Sequence, residues 1–197
     1  MPIMDVRYPA GSLTRAAKAA LAGRLTDVLI RMEGDANTRK GRAFAWVLFT
    51  EMAEEDFWVG GRTDDEFVTA PGKFLVHVTI PEGYMNAGHK SEVHAWVTSA
   101  IIDVTTPQGP AVGDSVLVVI DEVTEGNWGA GGKTISLDSI AEAVGQRKDG
   151  SRFKWVRSYF EAKARAYASA GYPPDAGGLL PSLSEREGAQ PVRLIEL

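Results

Sequence analysis

Apolar and polar residues follow two rhythms along this chain, and the order of those rhythms repeats. Residues 2–8, Pro-Ile-Met-Asp-Val-Arg-Tyr, read as a short strand. A helix is predicted from about Thr14 to Met32, because Ala17, Leu21, Leu25, Val28 and Met32 recur at spacings of three and four and so share one face. Glu33-Gly34-Asp35 stops it. A second strand is predicted through Phe44-Ala45-Trp46-Val47-Leu48-Phe49-Thr50, whose aromatic and branched side chains suit a pleated surface. The same order then returns as a strand from Phe74 to Ile80, a helix from about Asn86 to Val104 and a strand from Ser115 to Val123. In that second helix Val93, Trp96, Val97, Ala100, Ile101 and Val104 form the apolar stripe, and Asn86 is placed to cap it.

The ends of the two units align without a gap. Glu51, Phe57 and Gly60-Gly61-Arg62-Thr63 recur at a constant separation as Glu122, Trp128 and Gly131-Gly132-Lys133-Thr134. Two such βαβ units predict an α+β fold, a four-stranded sheet with both helices on one face, since parallel strands joined by a right-handed crossover place their helices on the same side. The units are expected at 1–72 and 73–133. Residues 134–197 lie outside the repeat. There Ser136 to Val144 predicts a capped helix ended by Gly145, Ser151 to Ala170 an amphipathic helix with Phe153, Val156, Phe160, Ala164 and Tyr167 as its stripe, and Val192 to Leu197 an edge strand after a Pro/Gly-rich loop. This helical arm is too short to make a core alone and is expected to pack on a neighbouring subunit.

Composition narrows the function classes. Lys and Arg number 21 against 26 Asp and Glu, a formal net charge of -5, so no basic excess exists to neutralise phosphates. Nucleic acid and anionic membrane are not expected partners. With no cysteine in 197 residues there is no disulfide framework, thiolate metal site or cysteine nucleophile, which fits a reducing compartment. The start of the chain has no apolar stretch behind a basic head and the longest apolar runs, such as Val116 to Ile120, are too short to span a bilayer, so a cytoplasmic protein is expected. Gly131-Gly132-Lys133-Thr134 imitates the end of a phosphate-binding loop, but Asn127 stands where that loop needs its first glycine. The cognate Gly60-Gly61-Arg62-Thr63 explains both as a shared turn. His89 and His94 are five apart on a helix, a spacing that does not set two metal ligands on one face, and both are expected at the surface. No metal site is predicted. His77 alternates with Val76 and Val78 and is held as a polar group facing a pocket.

A chain opening Met1-Pro2-Ile3, followed by a βαβ unit ending Thr50-Glu51-Met52 and continuing to Phe57-Trp58-Val59-Gly60-Gly61, resembles the 4-oxalocrotonate tautomerase family. With the unit doubled, it is similar to fused members of the tautomerase superfamily over about residues 2–133. The resemblance implies that Pro2, once Met1 is removed, is a secondary amine acting as general base on a small 2-oxo or 2-hydroxy acid, without cofactor or metal. A terminal amine has a reference pKa of roughly 8, and desolvation with nearby cations is expected to lower it toward neutrality. The resemblance further implies a homotrimer, in which six βαβ units reproduce the ring of the unfused hexamers. Family members hold the substrate carboxylate with arginines, a task suited to a planar, permanently charged fork. Ser12 and Trp46 occupy those positions here, so the candidates become Arg15, one turn beyond Ser12, Arg42, taken to lie four residues before Trp46 on the same strand face, and Arg7. An odd offset from Pro2 should turn Arg7 to the opposite face. Phe57 matches the family's apolar wall beside the proline, and Asn127 with Trp128 occupies the equivalent loop of the second unit, expected to border a neighbour's site. Trp46 itself completes the candidate substrate-binding set. The second unit begins with Phe74 inside the chain and has no free amine.

Two other readings keep the fold. Some relatives hydrate or dehalogenate small unsaturated acids, with the proline as an acid and a carboxylate to activate water, and Glu51, Asp56, Glu122 and Glu125 are available for that. A non-catalytic binding module is favoured by the missing arginines and opposed by the retained Pro2 and Phe57.

Overall fold

A computed structural model describes residues 2–35, 37–106, 109–146, 148–173 and 175–184. Val192 to Leu197 lies outside the described residues. The elements run β1 (Ile3–Pro9), α1 (Arg15–Met32), α2 (Arg39–Phe44), β2 (Trp46–Met52), a 3-10 turn (Glu54–Asp56), β3 (Phe74–Pro81), α3 (Ala87–Thr105), β4 (Val116–Val123), a two-residue ribbon β5 (Gly129–Ala130) and β6 (Lys133–Thr134), α4 (Leu137–Val144), α5 (Ser151–Ala170) and α6 (Pro181–Ser184).

The chain divides into two compact units. The first, residues 1–80 and 85–122, is built on a four-stranded sheet in the order β2-β1-β3-β4, the expected doubled βαβ architecture. β1 and β2 are parallel, with Ile3 opposite Trp46 and Pro9 opposite Met52, and β1 and β3 are antiparallel, with Asp5 opposite His77. Bonds from Phe74 N–H to Ser115 O (3.1 Å) and from Glu82 N–H to Val123 O (2.9 Å) join like ends of β3 and β4, which makes that pair parallel too. Alternation decides the faces. Met4, Val6 and Tyr8 of β1 and Val76, Val78 and Ile80 of β3 are buried, as are Leu21, Leu25 and Leu29 of α1 and Val93, Val97 and Ile101 of α3. Thr14 caps α1 through Ala17 N–H, and Asn86 caps α3 in a box completed by the His89 ring. His89, expected simply at the surface, thus has a structural task. The two halves also share an ion pair: Lys18 Nζ meets Glu51 Oε1 and Lys90 Nζ meets Glu122 Oε2, each at 2.6 Å.

The sequence expectation fails between α1 and β2. Phe44 closes a helix instead of opening a strand, because Thr38 Oγ1 accepts from Gly41 N–H and starts a short turn of helix at Arg39. Arg42 is therefore on a helix and shares no strand face with Trp46.

The second unit comprises residues 81–84 and 123–197, wider than the arm expected from the repeat. Its buried side chains include Tyr84, Leu137, Ile140, Val144, Phe153, Val156, Phe160 and Leu180, a larger apolar set than a bare arm would hold. α4 and α5 fall where the sequence placed them, and Gly145 and Gly171 end them in the left-handed conformation that glycine adopts without strain. Glu82 is gripped by α5: its carboxylate accepts from Tyr159 Oη (2.7 Å) and Lys163 Nζ (2.7 and 2.8 Å).

Candidate functional site

A parallel β1/β2 pair requires the chain to return between its strands, so the end of α1 lies where both strands begin. Pro2 is buried at that end, and its carbonyl accepts from Trp46 N–H at 3.2 Å. It shares the parity of buried Met4, Val6 and Tyr8. The residue that ends α1 is Glu33, only 7% exposed, with its backbone N–H bonded to Leu29 O and Ile30 O at 3.2 Å. Burial pushes the Glu33 carboxyl above its ordinary range, and the positive charge of the chain's amino terminus acts in the opposite sense. Sequence reading treated Glu33 only as a helix stop. The signal that would have found it is topological, since in a βαβ unit whatever follows the helix returns to the start of the first strand.

The remaining candidates divide between the two ends of the sheet. Trp46 stands opposite Ile3 at the Pro2 end, about half exposed, with Nε1 donating to Ala43 O at 3.1 Å. Arg42 is just before it, but its guanidinium donates to Asp27 Oδ1 and Asn37 Oδ1, both at 3.2 Å. Arg7 lies opposite Thr50 near the far end of β1, exposed, with Nε donating to Asp5 Oδ2 at 2.9 Å. Arg15, also exposed, begins α1 beyond the same far end. Phe57, half-buried, follows the turn after β2, again away from Pro2 of its own chain. His77 is in the middle of β3 on the face away from the helices, where Nδ1 lies 3.0 Å from Asp121 Oδ2. Trp128 belongs to the second unit, 8% exposed, and its Nε1 has no hydrogen-bond partner among the described residues.

The carboxylates proposed for water activation are equally dispersed. Glu51 is held by Lys18, which lowers its pKa, and Glu122 by Lys90. Asp56 is exposed in the 3-10 turn. Glu125 is 3% exposed in the second unit, where burial pushes its carboxyl up to about 7 against the hydrogen bond it accepts from Leu137 N–H at 3.1 Å.

A cavity of about 450 Å³ opens at the start of β3, the place in the second repeat that corresponds to Pro2 in the first. Ser12, Glu54, Asp64, Asp65 and Lys73 line it. Lys73, buried there, donates to Thr63 O and lies 3.5 Å from Asp65 Oδ1. That cavity thus presents an acidic rim and an ammonium already engaged. Among the described residues no cluster of His, Asp or Glu is placed to hold a metal ion, and no helix is long and apolar enough to cross a membrane.

Residues 75–137 match the family model described as Tautomerase enzyme. Among solved structures, a native fused 4-OT is 24% identical with a TM-score of 0.54, covering 73% of this chain and 99% of that one. The fold is that of the tautomerase superfamily. A fused 4-OT described as a symmetric trimer is 21% identical (TM-score 0.53; 70% of this chain, 97% of that one). A member of the cis-3-chloroacrylic acid dehalogenase family is 24% identical (TM-score 0.54; 68% and 82%), and the macrophage migration inhibitory factor of Toxoplasma gondii 14% (TM-score 0.51; 68% and 99%). No curated protein matches the chain. The tautomerase match falls on the second repeat, while Pro2 belongs to the first.

Proposed function

We propose that this protein is a cofactor-independent tautomerase that uses the Pro2 amine, freed by removal of Met1, to move a proton on a small 2-oxo or 2-hydroxy carboxylic acid. The observation that carries the reading is Pro2 itself, buried at the start of β1 in a sheet of tautomerase topology. A secondary amine there is an acid-base group in a partly desolvated place, and a positioned group of that kind accelerates proton transfer by about 10²- to 10⁴-fold.

One chain does not gather the rest of the binding set. Arg7, Arg15 and Phe57 lie at the far end of the sheet from Pro2, so the reading needs them from a neighbouring copy, and a homotrimer supplies neighbours in a closed ring. The face of the sheet away from the helices supports such packing: Trp46 (53%), Leu48 (49%), Leu117 (61%) and Val119 (39%) are exposed on it. The C-terminal unit completes the assembly by packing on an adjacent subunit, and a cytoplasmic location fits a chain with no cysteine. A second reading, proline-dependent hydration or dehalogenation of an unsaturated acid, is favoured by the buried Glu33 carboxylate at the Pro2 end, since such chemistry needs a carboxylate as well as the amine.

The test is ultraviolet ketonisation of 2-hydroxymuconate and phenylenolpyruvate by protein whose mass confirms loss of Met1. Turnover that falls by about 10²-fold or more in Pro2→Ala supports the amine as the reacting group. Two equally inactive proteins would overturn the tautomerase reading for these substrates, and turnover of a 3-haloacrylate would then favour the second.

A further inference from the structure

We propose that the Glu33 carboxylate is the charge partner of the Pro2 amine and holds it as the ammonium at neutral pH. The inference rests on Pro2 being the reacting group, and it reverses the expectation that the amine is lowered toward neutrality. Three observations support it. The crossover brings the end of α1 to the start of β1, Glu33 is the residue that ends α1, and its side chain is buried at that position instead of extending into water. Burial of an ionised carboxylate is costly unless an opposite charge meets it. The ionised group that acts on Glu33 is the chain's amino terminus. Once Met1 is removed, that charge is borne by Pro2.

Cations near Glu33 in the sequence are occupied elsewhere. Arg31 stacks over the Trp96 ring at 4.1 Å, and Arg42 is bound by Asp27 and Asn37. Neither takes the place of the amine. The carbonyl end of α1 carries partial negative charge and favours an ammonium in the same sense. The other repeat has no such pair. Thr105, an uncharged residue, ends α3, and the strand that follows the repeat boundary starts with Phe74, which has no free amine. The partnership is thus confined to the half of the molecule that has an amine to tune.

A carboxylate in contact favours the charged form of an amine, so Pro2 titrates above the roughly 7.7–8.0 of an unperturbed terminus. At neutral pH it arrives at substrate as a proton donor, and as a base it gains activity with rising pH. Glu33 is a positioning residue in this scheme, because it acts through Pro2 and need not touch substrate.

The experiment is an NMR titration of ¹⁵N-proline-labelled full-length protein lacking Met1, wild type beside Glu33→Gln and Glu33→Asp. The expected result is a Pro2 pKa above about 8 in the wild type, lowered by about one unit or more, a tenfold change in proton affinity, in Glu33→Gln and mostly restored in Glu33→Asp. The basic limb of the pH–rate profile should move with it. A wild-type value at or below that of a free terminal amine overturns the proposal without any variant, which covers the case of Glu33→Gln failing to fold. An unchanged value in Glu33→Gln also overturns it. The titration needs no turnover, so a raised pKa in an inactive protein would retain the charge pair and defeat the tautomerase reading, while turnover with an unmoved pKa would do the reverse.

Discussion

The two repeats of this molecule are alike in what holds them together and different in what they can react with. Each has a helix over two parallel strands, and each ties that helix to its second strand with the same lysine and glutamate, Lys18 with Glu51 and Lys90 with Glu122. At the start of the first strand they part. The first repeat offers Pro2 and a buried Glu33, the second an internal Phe74 and a cavity whose ammonium, on Lys73, is already bound. The Tautomerase family model matches the second repeat, which cannot supply a terminal amine. Sequence likeness therefore tracks the packing that the halves share, and the chemistry lies where they differ.

The largest expected effect separates two equivalent positions. Pro2→Ala should lower turnover by about 10²-fold or more and leave the melting temperature near that of the wild type. Phe74→Ala, at a side chain only 3% exposed, should instead cost about 3–5 kcal/mol of stability, read by denaturant unfolding. Loss of turnover in Phe74→Ala at temperatures where it remains folded would break the contrast, because it would place chemistry in the second repeat.

A smaller effect tests whether the helices form one core. Leu29 of α1 and Ile101 of α3 are both fully buried, and Leu29→Ala and Ile101→Ala should each cost about 2–5 kcal/mol in a single shared transition. Separate transitions would show that the repeats are stable independently.

The smallest effect concerns the shared ion pairs. Glu51 has its pKa lowered, chiefly by the hydrogen bond from Lys18. A carboxylate of depressed pKa contributes stability that is present above its unfolded value, about 4.3, and is lost as pH falls through the folded value. Lys18 is raised, chiefly by Glu51, so its share is present below about 10.4 and is lost as pH rises through its folded value. Both groups are exposed, so the expected shift in melting temperature for Glu51→Gln is small, is suppressed by salt and vanishes in acid. A large, salt-insensitive loss would mean that the pair has a task beyond bracing the helix.

Much of this architecture was legible because long elements repeat their period many times. The eighteen residues of α1 and the nineteen of α3 give several turns of evidence each, and their caps, Thr14 and Asn86, are residues that accept hydrogen bonds. The six residues of α2 give none, since Arg-Lys-Gly-Arg-Ala-Phe is too short to show a period, so Phe44 was read into the following strand and Arg42 onto a strand face. The candidate site was less legible for a related reason. Periodicity tells which face a residue occupies but not which end of the sheet, and Arg7, Arg15 and Phe57 are at the wrong end for Pro2 of the same chain. Glu33 was passed over because a charged residue at a helix end reads as solvent-facing, and only the return of the chain to the start of β1 reveals its burial.

The central claim is that a free amine on Pro2 does the chemistry. The most direct measurement compares two preparations of the same sequence in the enol-acid assay, one with Met1 removed and one, made in cells lacking methionine aminopeptidase activity, with Met1 retained. Retention turns the proline nitrogen into an amide without basicity. The account predicts turnover in the first and its loss in the second at unchanged melting temperature. Equal turnover in both would contradict it, since the reacting group would then lie elsewhere.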